Sequence, residues 1–214
     1  MFVAGLSEAM PTVRLLEGED TDRIDGLSDG LFAIVLTLLV LQFQIPDVPA
    51  DRAATELPAA LADQETLLFS YLLSFGVVGL YWIVHHHLFE RIERHDRGLL
   101  YGNLLFLLFV SLVPFPTELV GIYGTRFAWT LYACNLALVG LSLTALWWYA
   151  YRRGFTTDEI TPRVGRAVAI RGLIGPAVFL LSIAVAAVSL TAAFLTPVLI
   201  VPLQALWVRR FHGS

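Results

Sequence analysis

Four polar residues gather ahead of a long apolar stretch: Arg23, Asp25, Ser28 and Asp29, followed by 31–41 without a charge. Charges inside or at the edge of a bilayer are expensive unless paired, and Arg23 and Asp29 are too far apart in sequence to pair within one helical turn. Their partners must come from other helices. His85, His86 and Asn103 are the candidates, while capping of a helix N-terminus by Ser28 or Asp29 would account for one of these groups and not for all. The run His85, His86, His87 suggests a metal at first sight. Consecutive helical residues point about 100° apart, so three in a row cannot converge on one ion, and only His95 and His212 remain elsewhere. Two readings stay open for the triplet: hydrogen bonding to a buried charge with titration near neutral pH, or simple capping of a helix end.

Other chemistry fails on context. The serines lie among apolar residues with no acid at the same depth, so no Ser-His-Asp arrangement forms and they read as helix-packing residues. No glycine-rich phosphate loop is present. The VGIYG run at 120–124 is superficially similar to a carbonyl ion filter, which needs a pore helix and a re-entrant loop buried in protein. It reads instead as a Gly-rich turn with an interfacial Tyr. Neither an enzyme nor a bound cofactor follows from these residues.

The elements that must position the polar cluster are membrane helices. The chain is 57% hydrophobic and 15% charged, against about 45–50% and about 25% for soluble domains. All 14 basic residues are Arg and the net charge is −4, which offers no basic surface for nucleic acid. Cys134, alone, makes no internal disulfide. A span needs about 20 mostly apolar residues. Runs at 30–45 (with 24–29 as a polar entrance turn), 67–85, 99–116 and 127–151 qualify, and 172–208 is a charge-free run that would make a helix of about 55 Å, enough for two. The turn dividing it is expected between Ser189 and Pro197. That makes an all-α protein with six spans.

Arginines prefer the cytoplasmic side. Here 12 fall on one side and only Arg52 and Arg126 on the other, which places both termini in the cytoplasm. The expected layout is a cytoplasmic tail at 1–22, one six-helix membrane domain at 23–210 and a short tail at 211–214. The 45–66 loop carries Asp47, Asp51, Glu56, Asp63 and Glu65; it either enriches cations at an outer mouth or is a solvated loop. Trp82, Trp147, Trp148, Tyr149, Tyr151 and Trp207 fall near cytoplasmic ends and read as interface anchors. Ile34, Leu38 and Leu41 lie at i, i+4 and i+7, one stripe of a helix with Thr37 beside it, which by itself is ordinary packing.

The stretch 23–41, RIDGLSDGLFAIVLTLLVL, followed by Pro46, resembles the first-span signature of the transmembrane protein 175 family of potassium channels, in its bacterial six-span branch. The resemblance continues through Tyr81-Trp82, His85-His86, Leu88-Phe89, the segment from Asp96 to Asn103, and Val113 to Thr117, and weakens in spans five and six. The chain departs from the family at Leu27, usually Phe, and at Val84 and His87, where Asn and Arg are expected. The resemblance implies a homotetramer in the cell membrane, a bacterial inner membrane, whose four first spans line a central pore. Arg23, Ser28 and Asp29, with His85, His86 and Asn103, would hold that helix against its neighbours. The constriction maps onto Ile34, Leu38 and Leu41, with Thr37 as a polar neighbour, and potassium would be the permeant ion. A narrow apolar ring can gate by dewetting, and the physical expectation is a modest preference for potassium. The alternative is proton leak or proton-coupled transport using Asp29 with His85 or His86.

Overall fold

The computed structural model describes residues 22–212, so the expected tail at 1–22 lies outside the described residues except for Asp22, while the first two residues of the expected 211–214 tail belong to the last helix. Ten α-helices occupy most of what is described: α1 Asp22–Val40, α2 Ala53–Ala62, α3 Glu65–Phe89, α4 Arg97–Leu112, α5 Pro114–Tyr123, α6 Arg126–Arg153, α7 Pro162–Gly172, α8 Ile174–Ala186, α9 Leu190–Leu195 and α10 Ile200–His212. A 3₁₀ turn at Thr196–Leu199 joins the last two.

Among the described residues, five helical stretches are long and apolar enough to cross a membrane: Glu65–Phe89, Arg97–Tyr123, Arg126–Arg153, Pro162–Ala186 and Leu190–Arg209. Three of them are broken by proline. Pro114 and Pro116, Pro176, and Pro197 each remove a backbone N–H and crowd the carbonyl four residues back. Breaks follow at Val113, at Leu173 and at Thr196–Leu199. Helix α1, at 19 residues, carries Asp22, Arg23, Asp25 and Asp29 in its first turns.

The long helix α6 is the axis of the bundle. It packs against α4, α5, α7 and α8, and Trp129, Tyr132, Leu136 and Trp147 are almost fully buried along it. Its ends are set locally. The Thr125 hydroxyl accepts from the Ala128 N–H at 3.3 Å, and Gly154, at φ 67°, takes the left-handed conformation that glycine adopts without strain. Helix α1 lies to one side, against α3, α4 and α5.

The observed boundaries differ from the sequence expectation in five places. The chain is already helical at Asp22, so the polar cluster lies within α1 rather than in an entrance turn. The VGIYG segment is helical through Tyr123, and only Gly124, at φ 53°, turns. The bend between the last two spans falls at 187–189, because the Ser189 hydroxyl accepts from the Ala192 N–H at 3.3 Å and starts α9 there. Thr191 and Thr196 then sit inside helical structure, the latter donating to the Ala192 carbonyl at 2.9 Å. The arginine-rich 162–172 segment is helical too, capped by Thr161, and α2 gives the acidic 45–66 loop a short helix of its own.

Candidate functional site

The polar cluster resolves into a buried knot where α1, α3 and α4 cross. Ser28 is fully buried, and its hydroxyl donates to the Ile24 carbonyl at 2.8 Å. The Asn103 amide donates to the Ser28 oxygen at 3.1 Å. The Asn103 carbonyl oxygen lies 3.0 Å from His85 Nε2. A carbonyl only accepts, so His85 carries its proton on Nε2. The imidazole is held flat between Phe89, with centroids 4.3 Å apart, and Phe106, at 5.3 Å, with Phe32 of α1 tilted against it. Buried polar groups are costly without partners, and here each of the three residues finds one on its own or a neighbouring helix.

Asp29 belongs to a second, outer contact. It is exposed, and its carboxylate accepts from the indole N–H of Trp82 at 2.8 Å. The Trp82 ring stacks on His86, whose Nε2 lies 3.4 Å from Glu90. His87 hydrogen-bonds the same Glu90 carboxyl at 3.1 Å, which holds that acid below its usual range. Thus Ser28, His85 and Asn103 meet directly, while His86 reaches Asp29 only through Trp82. Arg23 is exposed and makes no ion pair among the described residues. The histidine triplet fans out as its spacing requires: His85 is buried and His86 and His87 are exposed.

Behind the knot, α1 has two unlike faces. Ile24, Ser28, Phe32, Val35 and Leu39 are buried against α3, α4 and α5. On the other side Ile34 is 60% exposed and Leu38 42%, and Leu41, one residue beyond the helix, 74%. At about 100° per residue these three fall within about 60° of arc, about 100–180° round the helix from Phe32 and Leu39. Thr37 beside them is exposed, its hydroxyl donating to the Ile34 carbonyl at 2.7 Å. The far end of α1 is pinned as well: buried Gln42 donates to the Pro114 carbonyl at 2.7 Å.

Sequence reasoning missed three contributors. Trp82 passed as an anchor, although an indole N–H one turn ahead of His85 and His86 is the donor Asp29 lacked. Gln42 was hidden in the last residues of an apolar run. Ser74, Thr117 and Tyr132 form another buried chain across α3, α5 and α6, with Ser74 2.8 Å from Thr117 and 3.1 Å from the Tyr132 hydroxyl. Trp147, expected at the interface, is instead buried with its N–H on the Gly165 carbonyl at 3.0 Å, whereas Trp148 is partly exposed with the Arg152 guanidinium over its ring.

At the arginine-rich end, Asp96 fastens α4 to α6. It caps α4 through the Leu99 N–H at 2.9 Å and accepts from the Tyr149 hydroxyl at 2.8 Å and from Arg153 at 3.0 Å. Partial burial alone would raise its pKa, but these donors and the Arg153 charge outweigh that and hold the carboxyl below its usual range. An isolated antiparallel bridge between Ile92 and Thr156 stitches the two adjoining loops.

Apolar helices of spanning length around a buried polar knot define an integral membrane bundle. The family described as endosomal/lysosomal potassium channel TMEM175 matches residues 23–114. A potassium channel of Streptomyces collinus is 34% identical over 176 residues, covering 79% of this chain and 84% of that one. The crystal structure of a lysosomal potassium-selective channel TMEM175 homolog from Chamaesiphon minutus superposes with a TM-score of 0.73 at 27% identity, over 89% of this chain and 97% of that one. The bovine endosomal/lysosomal proton channel TMEM175 is 37% identical over 108 residues, 48% of this chain but 22% of that longer protein. The chain belongs to the TMEM175 family of membrane channels, and is thus a channel protein rather than an enzyme.

Proposed function

We propose that this protein is a passive, potassium-permeable cation channel, assembled as a homotetramer in a bacterial inner membrane with four copies of α1 around the pore. The domain is the 23–210 bundle, with α1 as the sixth span and both termini cytoplasmic. The observation that carries the reading is the pair of faces on α1: one locked by the Ser28–Asn103–His85 knot, the other a bare stripe of Ile34, Leu38 and Leu41 with Thr37 beside it. Such a stripe repeated around an axis gives an apolar constriction that gates by dewetting and makes ions shed water. Potassium sheds water more readily than sodium, so a modest potassium preference follows. Arg23, Asp29 and His86, exposed within one chain, would act between subunits or at the membrane surface.

Purified protein in liposomes tests this with two readings together, subunit count and potassium flux. Four subunits and a flux altered by Ile34→Asn or Leu41→Asn support it; monomers, or fluxes untouched by both changes, contradict it. A second reading, proton conduction through the same pore, is favoured by the naming of the vertebrate relatives. A pH-sensitive dye trapped in the same liposomes separates the two ions.

A further inference from the structure

Between α8 and α10 lies an open groove of about 810 Å³, within the range of about 300–1,000 Å³ typical of small-molecule sites. Its walls are apolar: Ile174, Val178 and Leu181 from α8, Leu203 and Leu206 from α10. Of these, Leu181, Leu203 and Leu206 are exposed. The two helices run antiparallel, so one end of the groove lies where α8 starts and α10 finishes. Trp207 and Arg209 line that end. Arg171, three residues before Ile174, reaches across to donate to Gln204 of α10 at 3.2 Å.

The charge balance there is one-sided. From 160 to 214 the chain carries Arg163, Arg166, Arg171, Arg209 and Arg210 and no Asp or Glu. Gln204 orients the Arg171 guanidinium at the rim without neutralising it, and among the described residues neither Arg171 nor Arg209 has an acidic partner within ion-pair distance. Apolar walls at membrane depth, a tryptophan at interface level and unneutralised arginines above it match an anionic phospholipid from tail to headgroup. A seam between helices of two subunits favours small residues instead, and these walls are mostly Leu, Ile and Val.

We propose that the α8–α10 groove is a binding site for an anionic phospholipid of the cytoplasmic leaflet, its acyl chain along Val178, Leu181 and Leu203 and its phosphate between Arg171 and Arg209. The site is independent of which ion the pore conducts. Native mass spectrometry of the full-length protein in mild detergent, with equal phosphatidylglycerol and phosphatidylcholine added, reads it directly. The wild type should retain phosphatidylglycerol preferentially. Arg171→Gln combined with Arg209→Gln should lower that preference about tenfold or more, since each near-surface cation counts separately, and Arg171→Lys with Arg209→Lys should keep most of it. Should the glutamine pair fail to fold, Leu181→Trp with Leu203→Trp asks the same question by filling the groove with the charges intact, and should also lower retention. Equal retention of the two lipids by the wild type, or an unchanged preference in the charge-free or filled variants, overturns the proposal. So does a photoreactive side chain at Leu206 that cross-links to a second copy of the chain and not to lipid.

Discussion

The two faces of α1 have almost the same amino-acid chemistry and opposite situations. Phe32, Val35 and Leu39 are within 2% of complete burial, while Ile34 and Leu38 on the same helix and Leu41 just beyond its end are exposed. Hydrophobicity cannot separate them, since both sets are large and apolar. What separates them is the polar knot, which fixes the rotation of the helix. Once Ser28 must meet Asn103, and Asn103 must meet His85, every residue at i+4 and i+7 from Ser28 turns inward and the remaining stripe turns out. A buried hydrogen-bonded group thus sets rotation where packing alone would be indifferent, because a rotated α1 would take Ser28 away and leave the buried Asn103 amide N–H without its acceptor in an apolar interior.

That comparison can be broken at its strongest point first. Phe32→Ala on the packed face should cost about 3–5 kcal/mol of stability, whereas Ile34→Ala on the bare face should cost within about 0.5 kcal/mol. Thermal melts of detergent-solubilised protein compare the two, and equal losses would mean that α1 is not rotated as described. Asn103→Leu comes next. Ser28 keeps its bond to the Ile24 carbonyl, so the principal orphan is the His85 N–H, and a loss of about 1–3 kcal/mol is expected.

Asp96→Ala, at the N-terminal end of α4, removes a helix cap and should cost about 0.5–2 kcal/mol. Its pH dependence sharpens the point. The folded pKa lies below the unfolded value, near 3.9 for a free Asp, so the stabilisation is fully present above that unfolded value. It is lost as the pH falls through the depressed folded pKa. Wild type should therefore lose part of its stability on acidification below about pH 4, and Asp96→Asn, which keeps the cap and drops the charge, should lack that component. The smallest effect expected is from Trp82→Phe, at most about 1 kcal/mol, because the Asp29 carboxylate it uncovers is exposed and takes water instead. A larger loss would place Asp29 in a drier setting than a single chain provides.

The polar residues were legible in the sequence because a bilayer makes them conspicuous. Ser28, His85 and Asn103 stand out in apolar surroundings, and their need for hydrogen-bond partners is enough to bring three helices together. The stripe of Ile34, Leu38 and Leu41 was legible as a stripe, although its orientation was not, since period alone does not say which side is covered. Trp82 and Gln42 were missed for a related reason: an indole N–H and a side-chain amide near helix ends have ordinary roles as anchors and caps, and nothing in their spacing marks the partner. The proline-induced breaks displaced the helix ends. Pro114 and Pro116 bend a helix that continues to Tyr123, so a proline that reads as a stop in water was here only a hinge within a continuous span.

The central claim is that the uncovered stripe of α1 lines the conducting path. In a Cys134→Ala background, Ile34→Cys, Leu38→Cys and Leu39→Cys channels in planar bilayers should be exposed to a small water-soluble thiol reagent while potassium current is recorded. The account predicts that the reagent cuts the current at Ile34→Cys and Leu38→Cys and leaves Leu39→Cys unchanged. Current that is insensitive at the first two positions, or equally sensitive at all three, would contradict it.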